Sequence, residues 1–387
     1  MRDSPERAER DCLEGGEAAA EGWVQRYVRS AKEMILDWTR ELGVEYSSTV
    51  LQLPGNSVPR FHSPVGRGLG LVAPIYRAAL LQPSVTFEWN VRVDRLLIED
   101  GRVVGVEGEA LRSGERRAYR AEHVVLATGG FQSNLDMVRE FWPEAYELPE
   151  RLLVGSGQNS VGLGHRVAQT AGAELVNMDR QWNYATGLPD PRYPDSDRGL
   201  NAHNAASIWI NSLGDRFVDE TASTKGRLRG VLRQEGARYW AIFDERGKRR
   251  LFVSGSDWAD FATVEEMILS NEALTTRADS LAELGEALGL PEGKLERTVE
   301  RYNAMLAAGR DEDFGRFGFG RVPYDLAPGW EEGPIPLAEP PFYALAFYPL
   351  ARKSMGGVAI DLETRVLAGA GEPIPGLYAV GELAGFG

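Results

Sequence analysis

Two stretches of this chain end a short apolar run in small residues, the arrangement that brings main-chain groups close against a ligand. The first is Val124-Val125-Leu126-Ala127-Thr128-Gly129-Gly130-Phe131. Glycine carries no Cβ, so a strand closing in Gly-Gly can lay its backbone against a flat or phosphorylated group. A tight strand-to-helix turn without a ligand would use the same residues. The second stretch, Ile374-Pro375-Gly376-Leu377-Tyr378-Ala379-Val380-Gly381-Glu382, repeats the design with a Pro-Gly turn, a short strand and a terminal carboxylate able to accept from a ligand hydroxyl. Other chemistries find little support. The single cysteine, Cys12, has no positioned base and reads as an incidental thiol. His62, His123, His165 and His203 show no ligand spacing with Cys or carboxylates, so no metal site is expected.

The elements that would position these stretches follow from periodicity. From Val24 to Leu42 the residues Val24, Tyr27, Val28, Ala31, Met34, Ile35 and Trp38 recur at three- and four-residue steps, which predicts a helix stopped by Gly43. Leu71 to Leu81 predicts a second amphipathic helix. Strands are expected over Val85–Trp89 and Val103–Val106, with a turn at Glu99-Asp100-Gly101 between them, and over Arg117–Arg120. His123 to Ala127 reads as a strand buried on both faces of a layered sheet. Ser280 with Glu283 has capping-box spacing, Pro291 marks the next helix entry, and Leu295, Val299, Tyr302 and Leu306 share one helix face. Loop-rich stretches at Asn183–Arg198 and Gly309–Pro341 bracket this region. The reading is a discontinuous first domain, 1–182 with 351–387, interrupted by an α+β lobe over 183–350.

A chain of 387 residues is long enough for two domains. Its composition, 43% hydrophobic and 26% charged, is that of a globular protein, and no run approaches the roughly 18 apolar residues of a membrane span. A net charge of -14 argues against a nucleic-acid partner, whose phosphates are bound by clustered Lys and Arg. One cysteine and an opening without signal-peptide character lead to an expectation of a cytoplasmic protein.

Taken together, Ala127-Thr128-Gly129-Gly130 and Gly376-Leu377-Tyr378-Ala379-Val380-Gly381-Glu382 resemble motifs of the flavoprotein superfamily of fumarate reductase, succinate dehydrogenase and ketosteroid Δ1-dehydrogenase. Met355-Gly356-Gly357-Val358 with Asp361, Gly214-Asp215-Arg216-Phe217-Val218-Asp219-Glu220, and Tyr302-Asn303 followed by Asp313-Phe314-Gly315-Arg316 look like further landmarks in family order. The resemblance implies an α/β plus α+β fold, in which a glutathione-reductase-like, Rossmann-type FAD-binding domain carries an inserted capping domain. FAD is the implied cofactor, lined by Val93, Ala127, Thr128, Gly129, Gly130, Gly381 and Glu382, and a small-molecule substrate would bind between the lobes. The electron donor or acceptor is not identified by the sequence. No Gly-x-Gly-x-x-Gly loop precedes the helix at Val24, and the chain stops at Gly385-Phe386-Gly387, so an internal fragment lacking the first phosphate-binding segment and a closing helix is expected. In Gly162-Leu163-Gly164 a leucine stands where relatives often place an aspartate.

The substrate positions depart from the dicarboxylate enzymes. Tyr184 stands where the resemblance places a histidine, Thr224 where it places the proton-transfer arginine, with Arg227 and Arg229 shifted in phase, and Lys353 where it places a second histidine. Losing clamp donors would leave a dicarboxylate unpaired. Tyr184 and Lys353, with Arg352 and His203 beside them, are therefore expected to form a replacement site for dehydrogenation next to a ketone or in a hydrophobic acid, since tyrosine can donate to a carbonyl oxygen. Packing roles for Tyr184 and His203 and a solvated role for Lys353 fit the same residues. Fumarate or succinate chemistry with a rearranged clamp and a flavin-free binding remnant are the alternatives.

Overall fold

The computed structural model describes residues 3–16, 20–48, 50, 56–316 and 333–385. Residues 317–332, within the loop expected at Gly309–Pro341, and Phe386 and Gly387 lie outside the described residues. The chain divides into two compact units, the first comprising Met1–Phe141, Gly157–Trp182 and Lys353–Gly387, the second Trp142–Ser156 and Asn183–Arg352. The segment Trp142–Ser156 thus leaves the expected first domain. Its pairing explains why: Leu153 and Val154 run parallel to Leu350 and Ala351, and Trp142 and Tyr146 pack on Leu228 and Leu232 of the second unit.

In the first unit, Val91–Glu99, Arg102–Ala110 and Glu115–Arg120 form an antiparallel sheet. Asp100 and Gly101 both have positive φ, 48° and 76°, the backbone of a tight hairpin turn that matches strand twist. The strand expected at Val85–Trp89 is displaced to Val91. Phe87 and Trp89 instead stack on each other at 5.3 Å, Tyr76 packs edge-on against both, and Asn90 at φ 58° interrupts the extended backbone. A second sheet runs Arg365–Leu367, Pro373–Ala379, Val124–Leu126, the last two parallel. Val124 and Leu126 are buried, but Val125 is 57% exposed, because among the described residues the core packs only the face of this strand that carries Val124 and Leu126. The core joins Leu96, Val103, Val124, Val167, Val358 and Leu377.

The predicted N-terminal helix spans Glu21–Glu41, with a π-helical stretch at Lys32–Asp37, and Gly43 at φ 95° ends it. Its apolar stripe is not buried: Tyr27, Met34 and Trp38 remain exposed. The helix expected over Leu71–Leu81 spans Arg67–Leu80.

The second unit is built on one sheet ordered Leu251–Val253, Gly199–Asn204, Gln181–Pro189, Phe342–Ser354, Tyr239–Asp244, Ile208–Ile210, with Thr275–Ala278 and Leu153–Val154 also pairing with Phe342–Ser354. On one side Trp209, Tyr239 and Phe347 stack in succession at 4.2 and 5.4 Å. On the other the helices Leu281–Ala287 and Lys294–Ala307 bury Leu284, Leu295, Val299 and Tyr302. Ser280 Oγ accepts from Glu283 N–H, as the capping spacing predicts, whereas the Glu283 carboxylate reaches back to Asp279 N–H instead of Ser280.

Candidate functional site

Both small-residue stretches leave the same end of one parallel pair. Val124, Val125 and Leu126 pair with Leu377, Tyr378 and Ala379, and Val380 N–H donates to Leu126 carbonyl at 3.0 Å. Ala127–Gly130 and Gly381–Glu382 are therefore neighbouring loops at the carboxyl ends of adjacent parallel strands, where open α/β sheets bind ligands. A sequence separation of this size requires a long crossover, which the second unit interrupts.

Three further segments of the first unit close on these loops. Gly129 has φ 76° and Gly381 φ 70°, the left-handed backbone that favours glycine. A Cβ on Gly130 would lie 2.5 Å from Glu382 Oε1 and closer still to Ser354 Oγ. A Cβ on Gly164, in the first turn of the helix Leu163–Gln169, would collide with Thr128 Oγ1. Gly356 and Gly357 pass directly over the Asn177 and Leu383 carbonyls, and Met355 N–H donates to Arg180 carbonyl at 2.9 Å. The Glu382 carboxylate, half-buried, takes Ser354 N–H at 2.9 Å and Ser354 Oγ at 3.3 Å on Oε1. The result is a glycine-walled surface with one oriented carboxylate, the donor and acceptor set that an extended, hydroxyl-bearing dinucleotide needs. Of the expected cofactor residues, Ala127, Thr128, Gly129, Gly130, Gly381 and Glu382 come together here. Val93 lies on a different sheet, half-buried at a bulge opposite Gly108.

The expected substrate residues are distributed over both units. Lys353 is exposed at the end of Phe342–Ser354 in the first unit, directly before Ser354. Tyr184, half-buried on Gln181–Pro189, and Arg352 belong to the second. The Arg352 guanidinium donates to Gly155 carbonyl at 2.5 Å, which ties it to the neighbouring loop. His203 is 3% exposed, opposite Phe252 in the sheet with the rings 5.2 Å apart. The phase-shifted arginines have other partners. Arg227 is buried with its guanidinium 5.9 Å over the Trp209 ring, and Arg229 donates to Tyr146 Oη at 2.9 Å. Thr224 opens the helix Thr224–Leu232, capped by Ser223 Oγ on Gly226 N–H. Among the described residues no group of His, Cys, Asp and Glu is placed to hold a metal, and burial pushes the Cys12 thiol up, away from nucleophile character.

Sequence reasoning recognised two other landmarks without their purpose. Arg216 pairs with Glu220 at 2.9 Å and Asp311 at 3.0 Å, Arg316 pairs with Glu220 at 3.3 Å, and Tyr302 lies beneath both guanidinium groups at 5.4 and 5.8 Å. Arg316 also donates to the Ser207 and Ala205 carbonyls, and Glu220 accepts from Trp209 N–H. Burial works against ionised Asp311, yet the Arg216 hydrogen bonds hold its carboxyl below the usual range. Gly214–Glu220, Tyr302 and Asp313–Arg316 are thus joined in one buried ionic staple of the second unit. Ser354 was missed altogether; its adjacency to Met355-Gly356-Gly357 was the available signal.

The model of the FAD binding domain family matches residues 1–387. The chain belongs to this FAD-binding family. Its cofactor is FAD, and the glycine walls and Glu382 carboxylate fit that group: the loops admit close backbone approach, and the carboxylate is suited to a ribitol hydroxyl. The chain is 29% identical to an NADH:acrylate oxidoreductase of Vibrio harveyi over 90% of its own length and 33% of that protein. It is also 29% identical to a KsdD-like steroid dehydrogenase of Mycobacterium tuberculosis over 100% of its length and 80% of that protein. It therefore spans one third of the first relative and four fifths of the second. A solved 3-ketosteroid delta1-dehydrogenase from Sterolibacterium denitrificans shares the fold, with a TM-score of 0.75 at 20% identity, covering 99% of this chain and 84% of that one. The α/β flavoprotein fold expected from the sequence is the fold observed. No helix among the described residues is long and apolar enough to cross a membrane.

Proposed function

We propose that this protein is an FAD-dependent oxidoreductase acting on a CH–CH group next to a ketone, or in a comparably hydrophobic substrate. What supports the substrate reading is that Tyr184, Thr224 and Lys353 stand where the family resemblance places clamp donors, with Arg227 and Arg229 engaged elsewhere. A dicarboxylate would meet too few cationic donors, and an unpaired charge in a desolvated site is costly. A carbonyl oxygen needs one good donor. The Tyr184 phenol suits that role, because a hydrogen bond to the carbonyl oxygen makes the neighbouring C–H more acidic. The Lys353 ammonium supplies positive charge that favours the enolate-like distribution. FAD, when bound, supplies the hydride-accepting partner. The similarity to a KsdD-like steroid dehydrogenase supports the same substrate class. We place the protein in the cytoplasm, with a separate redox partner exchanging electrons with the bound flavin.

The test is paired turnover. A 3-ketosteroid with an oxidised dye is expected to be turned over at least about a hundredfold faster than fumarate with a reduced dye, a difference of the size expected for losing paired charges. Faster reduction of fumarate, or of acrylate, would establish instead the second reading, reduction of an unsaturated carboxylate. That reading draws on the similarity to an NADH:acrylate oxidoreductase.

A further inference from the structure

We infer that Ser354 is a positioning residue for the cofactor: it fixes the Glu382 carboxylate, and Gly130 leaves the room in which it does so. The inference rests on FAD occupying the loops described above. A glutamate side chain has three rotatable torsions, and ordering them on ligand binding costs affinity unless the protein has ordered them beforehand. Here a single residue does so twice. Glu382 Oε1 accepts both Ser354 N–H at 2.9 Å and Ser354 Oγ at 3.3 Å. Among the described residues no hydrogen bond engages Oε2, so one carboxylate oxygen is anchored and the other is presented.

The anchor is itself rigid and shielded. Ser354 is 4% exposed, which limits competition from water, and hydrogen bonds to an ionised acceptor are the stronger kind. The next residue, Met355, donates its N–H to Arg180 carbonyl, holding the chain just past the anchor. Glu382 lies in a 3-10 turn introduced by Gly381 at φ 70°. Gly130 completes the arrangement, because a Cβ there would enter the contact between Ser354 Oγ and Glu382 Oε1. Ser354 also directly follows Lys353, so the serine that sets the cofactor carboxylate shares a strand end with the proposed substrate cation.

The experiment is a double-mutant cycle on FAD affinity, read by flavin fluorescence quenching, with the visible flavin spectrum recorded for each variant. Ser354→Ala is expected to weaken FAD binding about tenfold in the wild-type background and less than about twofold in a Glu382→Ala background, because the serine acts through the glutamate. Its flavin spectrum should match that of Glu382→Ala. Ser354→Thr, which keeps both donors, should stay within about threefold of wild type and serves as the second variant if the alanine protein does not fold. Equal losses in both backgrounds, or threonine as damaging as alanine, would overturn the inference in favour of a packing role. Unchanged affinity in Ser354→Ala, with wild type binding normally, would sink the inference alone. A folded wild-type protein that takes up no FAD would remove the cofactor reading and this inference with it.

Discussion

At the scale of single residues, burial and backbone space set the chemistry. His165 is wholly buried in the helix Leu163–Gln169, edge-on to Phe131 at 5.5 Å, and among the described residues neither ring nitrogen has a hydrogen-bond partner. Burial pushes its pKa down to about 4. Because the unfolded chain binds a proton near pH 6.5 and the folded one does not, stability from this group is complete above that pH and is lost as pH falls towards 4, by about 3 kcal/mol in all. Urea unfolding at pH 7 and pH 4.5 should show that His165→Phe removes most of this dependence; an unchanged difference between the two pH values would refute it. Gly130 is the other residue where space decides. Gly130→Ala places a Cβ into the Ser354–Glu382 contact and is expected to weaken FAD binding by about tenfold or more while leaving the thermal midpoint of the FAD-free protein nearly unchanged.

At the scale of elements, the ionic staple of the second unit and the Ser280 helix cap call for very different energies. Arg216, Glu220, Asp311 and Arg316 are together neutral, and each side chain is no more than 4% exposed. Neutralising one member strands charge in a dry interior. Glu220→Gln is therefore expected to cost about 3–5 kcal/mol in chemical denaturation, and a loss below about 1 kcal/mol would show that water reaches the cluster. Ser280→Ala removes one cap hydrogen bond from an exposed helix end and should cost about 1 kcal/mol. The staple also explains a limit of sequence reading. Gly214–Glu220 and Asp313–Arg316 were recognisable as landmarks, but that they are partners in one cluster depends on packing around Tyr302, which no local pattern encodes.

At the scale of the whole molecule, the loops proposed to hold the flavin, Ala127–Gly130 and Gly381–Glu382, and the segment Ser354–Gly357 are gathered into one unit from separate stretches of chain. Hydrogen exchange with and without FAD is expected to slow at Thr128–Gly130, Ser354–Gly357 and Gly381–Leu383, and not at the helix Lys294–Ala307 of the other unit, since a ligand stabilises the elements that it orders. Protection confined to the second unit would contradict the placement of the cofactor. The net charge of -14 adds that any anionic part of the cofactor or substrate is held by local donors and not by the field of the protein.

Much of this was legible in the residues alone. Strand-then-glycine at Val124–Gly130 and strand-then-carboxylate at Leu377–Glu382 are local facts, because backbone freedom and side-chain charge belong to the residue itself. Periodicity likewise located the helices Arg67–Leu80 and Lys294–Ala307. Tertiary structure decided what depends on neighbours distant in sequence: the adjacency of the two motif loops, the one-sided packing that leaves Val125 exposed, the burial of His203, and the Ser354 donors on Glu382. The aromatic stack that displaced the strand expected at Val85–Trp89 is of the same kind, since Tyr76 comes from a preceding helix. Residue type determines which interactions a position can make, whereas strand pairing and packing determine which partner arrives to make them.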